Sequence, residues 1–191
     1  MRKLLSAVTA VFVASVLCSS AQPQPGAAPR AASTGGRSPH ETTSAVIDQN
    51  RVTITYGRPF TKDPRSGEVR KVWGGLVPYG KPWRLGSDEA TLLLTQQPIT
   101  IGETTIPAGA YTLYLIPEEN GAKLAFSKKI GQWGVPVDDK NDLARVDMTK
   151  SATDKTVDQL TLGVEKNPAG GGNIKVSWEN TQYTVAFTVK K

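Results

Sequence analysis

The stretch GAYTLYLIPEENGAKLAFS, residues 109–127, contains two β-strand patterns separated by a turn. In 109–116 bulky side chains occupy both the odd and the even positions, which is typical of a strand covered on both faces. The Asn120-Gly121 pair that follows readily supplies the positive φ angles of a tight hairpin turn. Residues 123–127 then return as a second strand. The stretch therefore predicts a buried antiparallel hairpin and makes an all-β fold the starting hypothesis.

The same period of two extends along the chain on both sides of this hairpin. Residues 52–56 alternate as a half-buried strand, and the turn-prone trio 48–50 links them to 45–47 as a second hairpin. The best helical candidate, 138–143, is about one turn long. About ten short strands with regular turn signals predict an antiparallel β-sandwich, with a jelly-roll or barrel-like arrangement as a variant. Near the C-terminus we expect separate strands at 143–148, 157–165, 173–178 and 182–189, with a turn at 179–181.

The N-terminus has the order of an export signal. A positive end at Arg2 and Lys3 precedes the apolar run 4–17, which is too short to anchor in a bilayer, and small residues follow. We expect cleavage after Ala21 and an exported protein, periplasmic or extracellular. Lipidation of Cys18, the single cysteine, is the alternative, although such signals prefer a small residue where Leu17 stands.

The predicted domain organisation has three parts. A signal peptide occupies 1–21, and a linker rich in Pro, Ala and Gly occupies 22–37. One β-sandwich domain is expected over 38–191, and no stretch after the signal is long and apolar enough to span a membrane.

Composition and charge exclude several classes of function. The 191 residues carry a formal charge of +6, but the basic residues are scattered and no basic run exceeds two residues, as in Lys128-Lys129. Nucleic-acid sites concentrate basic side chains with aromatic ones, so we expect no nucleic-acid partner. One histidine, His40, and no cysteine after signal cleavage leave no set of ligands for zinc, and we expect neither a metal nor a cofactor. The acidic run 138–142 lacks the glycine and the bidentate glutamate of a calcium loop and is expected to be a solvated turn.

Catalytic motifs are equally sparse. There is no Gly-x-Ser-x-Gly elbow and no phosphate-binding loop. A pair of carboxylates of the glycosidase type could be formed by Glu89 with Glu41 or Glu179, but their separation is not determined by the sequence.

The densest group of chemically useful side chains lies in GGLVPYGKPWRLGSDEAT, residues 74–91. One interpretation is a binding surface, in which the faces of Tyr79 and Trp83 are exposed beside Arg84 and Glu89. The other, which we favour, is a long crossing between strands with Trp83 as a core anchor and glycines at the bends. In that case we expect Arg84 to pair with Glu89 first or Glu41 second, close under the Trp83 ring.

Several motifs together resemble a family of secreted bacterial proteins, the one catalogued as domain of unknown function 2911. They are Ser38-Pro39-His40-Glu41-Thr42, Tyr56-Gly57-Arg58-Pro59, the stretch 74–91, Ala108-Gly109-Ala110-Tyr111, Gln132-Trp133-Gly134 and Trp178-Glu179. The family pattern Gly-Ala-Asn-Glu-Ala-Thr is replaced here at two positions, by Ser87 and Asp88. The resemblance covers nearly all of 38–191 and implies no activity.

These observations predict a non-catalytic protein that binds a small polar ligand, a glycan or a protein at the cell envelope. An envelope enzyme of the hydrolase type using Glu89, Arg84 and His40 is the alternative, and a structural or inhibitory module is a third. The candidate binding residues are His40, Glu41, Tyr56, Arg58, Tyr79, Trp83, Arg84 and Glu89.

Overall fold

The computed structural model describes residues 38–189. The predicted signal peptide, the linker and Cys18 lie outside the described residues. The strands are β1 (His40–Ile47), β2 (Asn50–Gly57), β3 (Leu92–Thr95), β4 (Ile99–Ile101), β5 (Thr104–Ile106), β6 (Gly109–Pro117), β7 (Gly121–Ser127), β8 (Asp142–Lys166) and β9 (Gly172–Val189). A short 3-10 turn, Asp139–Asn141, falls within the predicted helical candidate. No helix among the described residues has the length and apolar character to cross a membrane.

The prediction of an all-β fold is confirmed. The strands form one antiparallel sheet in the order β1-β2-β3-β6-β7-β8-β9-β4-β5. The first half of β8 pairs with β7, whereas its second half lies against β1 and β2, so the sheet folds back on itself in a sandwich-like fold. The fold therefore brings the end of β2 next to a strand that is distant in sequence.

The predicted hairpins are present. The chain turns through Asp48 and Gln49 between β1 and β2, and both residues have positive φ. The β6–β7 turn is closed by a hydrogen bond from the Glu118 amide to the Gly121 carbonyl oxygen at 2.9 Å. Alternate residues of the C-terminal strand, Tyr183 to Val189, are buried as expected.

Near the C-terminus the strands are longer than predicted, because two pairs of expected strands join into β8 and β9. The polar segment 149–152 lacks an apolar pattern, yet it still pairs with 181–184, because backbone hydrogen bonding does not require apolar side chains. At 179–181 no turn reverses the chain. Strand β9 runs through these residues with a φ of 51° at Glu179, and the register shifts because β8 carries extra residues opposite them, between Ala152 and Val157 and between Val157 and Thr161.

Candidate functional site

The 84–90 loop is the first part of the site, and two hydrogen-bonded anchors on β6 fix it. Trp83 exchanges backbone hydrogen bonds with Leu115 at 2.7 and 2.8 Å, and the Thr91 carbonyl oxygen accepts from the Leu113 amide at 2.8 Å. Between these anchors the chain leaves the sheet and returns. Leu85 and Asp88 take φ values of 57° and 63° in this loop. Such backbone strain in non-glycine residues is concentrated at functional sites in folded proteins.

A second loop, residues 128–138 between β7 and the 3-10 turn, lies against the 84–90 loop. The Ala90 amide donates to the Gln132 carbonyl oxygen at 3.1 Å. Gly134 has a φ of 82°, and a Cβ placed there would meet the Cβ atoms of Ala90 at 2.9 Å and Arg84 at 3.1 Å. The absence of a side chain at this position therefore allows the two loops to meet closely.

Together these loops and the outer face of the sheet line an open cavity of about 570 Å³, which we call the Trp133 cavity. Its floor is set by strand register, because Thr55 pairs with Leu92 and Leu92 pairs with Thr112 across three strands. Residues paired in this way place their side chains on one face of a sheet. The full lining is His40, Thr55, Tyr56, Gly57, Glu89, Ala90, Leu92, Thr112, Gly131, Gln132 and Trp133.

The cavity has one aromatic wall and one charged edge. Trp133 belongs to the lining and is 48% exposed. The other three tryptophans, in contrast, pack against one another. At the charged edge His40 Nε2 lies 2.8 Å from Glu89 Oε2, and both side chains are exposed. Tyr56 also lines the cavity but is buried, and this burial raises the pKa of its phenol.

A second depression of about 580 Å³, the Trp83 cleft, is lined by residues 135–137 of the same loop and shares no lining residue with the Trp133 cavity. Its walls include Trp83, Trp178 and Val135, and its charged lining residues are Arg70, Lys81 and Arg84. The two sequence candidates Trp83 and Arg84 therefore line a different cavity from His40 and Glu89.

Trp83 is a structural anchor, as the favoured interpretation expects. Its ring stacks on Trp178 with centroids 5.7 Å apart, and Trp73 packs edge-on against both of these rings. Tyr183 completes the cluster at 5.1 Å from Trp73. Tyr79 also packs against the core and lies 5.8 Å from Lys150 Nζ, outside the linings of the two cavities.

The expected pairing of Arg84 with Glu89 or Glu41 is wrong. The guanidinium of Arg84 lies 5.6 Å from the centroid of the Trp133 ring and donates to the Trp133 carbonyl oxygen at 3.4 Å. Glu89 contacts His40 and Glu41 contacts Arg58, and no ion pair between Arg84 and either carboxylate occurs among the described residues. The error arises because residues near in sequence were assumed to meet, whereas the 84–90 loop turns Arg84 and Glu89 towards different partners.

Arg58 is the arginine that ties distant strands together. Its guanidinium lies 2.5 Å from Glu41 Oε2 and donates to the Leu160 carbonyl oxygen at 2.9 Å and to Thr161 Oγ1 at 3.0 Å. The Tyr56 hydroxyl accepts from the Leu162 amide at 2.8 Å. These contacts join β1 and β2 to the second half of β8, so Glu41 and Arg58 act on the fold.

The aspartates of the acidic run 138–142 form ion pairs and hydrogen bonds with basic side chains and with a tyrosine. Asp138 accepts from Lys129 at 3.1 Å, and this hydrogen bond keeps the pKa of Asp138 below its ordinary value. Arg145 binds Asp139 and Asp142, and Tyr114 donates to Asp142. Within residues 38–189 no three His, Cys, Asp or Glu side chains converge as metal ligands would.

Seven of the eight sequence candidates are thus divided among three places, and Tyr79 lies outside all of them. His40, Tyr56 and Glu89 meet at the Trp133 cavity, Trp83 and Arg84 line the Trp83 cleft, and Glu41 with Arg58 forms an interstrand link. Sequence reasoning missed Trp133 and Gln132 as site residues. Their signal was present in the Gln132-Trp133-Gly134 motif, which carries part of the family resemblance and was given no functional role.

Comparison with known proteins agrees with the resemblance seen in the motifs. No curated protein and no solved structure matches the chain. A family model described as a protein of unknown function, DUF2911, matches residues 38–187, which include both cavities and the loops between them. The chain therefore belongs to the DUF2911 family.

Proposed function

We propose that this protein binds a sugar or a short glycan in the Trp133 cavity without transforming it. The observation that carries the proposal is the position of Trp133, an indole ring that is 48% exposed on the wall of a cavity of about 570 Å³. That volume is in the range of small-molecule sites, which combine apolar walls with a few polar groups. A large aromatic side chain left in water at such a wall favours a ligand that covers it.

The chemistry of the lining favours a neutral ligand with one apolar face and several hydroxyl groups. The Trp133 ring offers a flat surface for the C–H face of a pyranose. Glu89, Gln132 and Thr112 offer carboxylate, amide and hydroxyl groups that can exchange hydrogen bonds with sugar hydroxyls. A sugar has both properties in one ring.

The wall that carries Trp133 is held in place by contacts outside the cavity. Arg84 contacts the ring and the backbone of Trp133, and the close approach at Gly134 fixes the loop against Ala90. A pre-ordered aromatic wall loses little conformational entropy when a ligand arrives, and this supports binding by a shallow site.

The proposal includes export, which rests on the order of charged, apolar and small residues in 1–21. Mass spectrometry of the exported protein tests this part. An N-terminus at Gln22 is the expected result, whereas a diacylglycerol adduct on Cys18 would replace it with a lipid-anchored form.

Calorimetric titration with chitobiose, cellotriose, maltotriose and xylotriose tests the binding function. We expect one or more of them to bind, and Trp133→Ala to raise that Kd by at least about tenfold, equivalent to about 1.4 kcal/mol. Val135→Ala is the matched control, because it removes an exposed apolar side chain from the same loop but lines the other cleft. Absence of binding to all four sugars, or equal effects of the two variants, would contradict the proposal.

A second candidate, a hydrolase, is favoured by one observation. His40 and Glu89 form a hydrogen-bonded pair at the edge of the cavity, an arrangement that can accept and return a proton. The third residue of that hypothesis, Arg84, contacts Trp133 instead. Mass spectrometric analysis of the same sugars after prolonged incubation separates the two candidates: cleavage products that disappear in His40→Gln would establish the enzyme.

A further inference from the structure

The charged side chains that line the Trp83 cleft are all positive. Arg70, Lys81 and Arg84 belong to its lining, and the lining contains no Asp or Glu. Arg70 lies 3.5 Å from Asp63 and is thereby partly neutralised. Within the described part of the chain Lys81 and Arg84 form no ion pair, so the cleft keeps an excess of positive charge. Charge of one sign lining a depression raises the local concentration of counter-ions.

The wall between these cations is apolar and aromatic. Trp83 and Trp178 stack at the base, and Leu76 and Val135 line the cleft while remaining exposed at the surface. Exposed apolar side chains beside positive charges fit a ligand that has an apolar body as well as a negative group.

Trp178 supplies an independent observation. The residue is fully buried, and its indole Nε1 has no hydrogen-bond partner within residues 38–189. An indole N–H can only donate, and a buried donor without an acceptor is uncommon because it costs the desolvation free energy of the group. Because Trp178 belongs to the lining of the Trp83 cleft, its N–H is a donor that a polar ligand bound there could satisfy.

We propose that the Trp83 cleft binds a small organic anion, a carboxylate attached to an apolar ring. The carboxylate pairs with Arg84 and Lys81, and the ring lies against the Trp83–Trp178 wall. This site is separate from the Trp133 cavity and does not depend on sugar binding there.

Benzoate, benzyl alcohol and inorganic phosphate are suitable probes. Their binding to the full chain is measured by the quenching of tryptophan fluorescence. We expect benzoate to bind at least about tenfold more tightly than benzyl alcohol, because a charge-assisted hydrogen bond is stronger than a neutral one. Its Kd should rise with ionic strength. Phosphate that binds as well as benzoate would remove the apolar part of the proposal, and equal binding of benzoate and benzyl alcohol would overturn it.

Lys81→Gln is the main variant, because Lys81 is exposed and its replacement leaves the packed core intact. We expect it to weaken benzoate binding by at least about threefold, and Lys81→Gln with Arg84→Gln by at least about tenfold. Lys128→Gln removes an exposed cation from the same loop as Val135 without touching the cleft and should change nothing. Benzoate affinity that is equal in all three variants and the parent would refute the site.

The two binding proposals can be contradicted independently of each other. Lys81 does not line the Trp133 cavity, so Lys81→Gln should leave sugar affinity unchanged whatever happens to benzoate. Loss of both affinities in this variant would indicate a general change of structure, which its melting curve would reveal.

Discussion

Arg58 and Arg84 were both candidate binding residues in the sequence, but they have different roles in the structure. Arg58, which directly follows β2, links β1 to β8 through Glu41, Leu160 and Thr161, whereas Arg84 lies against the exposed Trp133. We therefore expect Arg58→Ala to lower the free energy of unfolding by about 1–3 kcal/mol, because it removes hydrogen bonds to a carbonyl oxygen and a hydroxyl group and the cationic partner of the partly exposed Glu41. Arg84→Ala should cost about 1 kcal/mol or less. Urea denaturation of both variants measures the difference, and a larger loss for Arg84→Ala would restore the structural role that the sequence suggested.

Two glycines of the 128–138 loop provide a matched pair at the same scale. Gly131 and Gly134 have φ values of 73° and 82°, but a Cβ at Gly131 meets nothing within 4 Å. Alanine at Gly131 should therefore cost about 1 kcal/mol for the left-handed backbone alone. Alanine at Gly134 should cost a further 1–3 kcal/mol, roughly, because the loops must separate. Equal denaturation midpoints for the two variants would show that the close approach at Gly134 does not hold the loop.

Turn residues and alternating apolar residues predicted the hairpins, whose structure is determined locally. The hairpin at Asp48-Gln49 was predictable from its turn-prone residues, and both have positive φ. The β6–β7 hairpin occurs where it was predicted, but neither Asn120 nor Gly121 has the positive φ from which it was inferred. The joining of β8 and β9 was not, because pairing of the polar segment 149–152 depends on its partner strand. The site was predicted only in part, because His40, Tyr56 and Glu89 were named from the sequence whereas Trp133 and Gln132 were not. Its grouping was not predictable either, since His40 and Glu89 are separated by 49 positions and meet only through the sheet and the 84–90 loop.

The register shift between β8 and β9 at Glu179 is an element-scale feature with a measurable role. Glu179 turns out of register there, and its Oε1 accepts from the Val72 amide at 2.9 Å, which holds the 72–77 segment to the sheet. We expect Glu179→Ala to lower the free energy of unfolding by about 1–2 kcal/mol, and Glu179→Gln to retain most of it through its amide oxygen. Glu165→Ala, which breaks an exposed pair with Lys175, should cost less than about 1 kcal/mol. Equal costs for Glu179→Ala and Glu165→Ala in thermal unfolding would contradict this role.

At the scale of the whole molecule, the buried phenols predict how stability changes with pH. Burial raises the pKa of Tyr56, Tyr111, Tyr114 and Tyr183, and hydrogen bonding to Asp142 adds to the effect at Tyr114. Their neutral forms favour the folded state, so this contribution is complete below the unfolded value of about 10 and is lost as pH rises through the folded values. In an alkaline titration most tyrosinate absorbance should appear together with unfolding. Tyrosinate that forms near the ordinary pKa in a chain with native circular dichroism would contradict the burial of these rings.

The two proposed binding sites are lined by different residues of one loop, and the four tryptophans of the protein allow both to be observed at once. Nitrogen–proton correlation spectra resolve each indole N–H, and single Trp→Phe variants assign the four signals. Addition of the sugar that binds should shift the Trp133 signal and leave Trp178 in place, whereas benzoate should shift Trp178 and Trp83. A sugar that shifts the Trp83 and Trp178 signals but not that of Trp133, or two ligands that shift the same signals, would contradict the division into two sites.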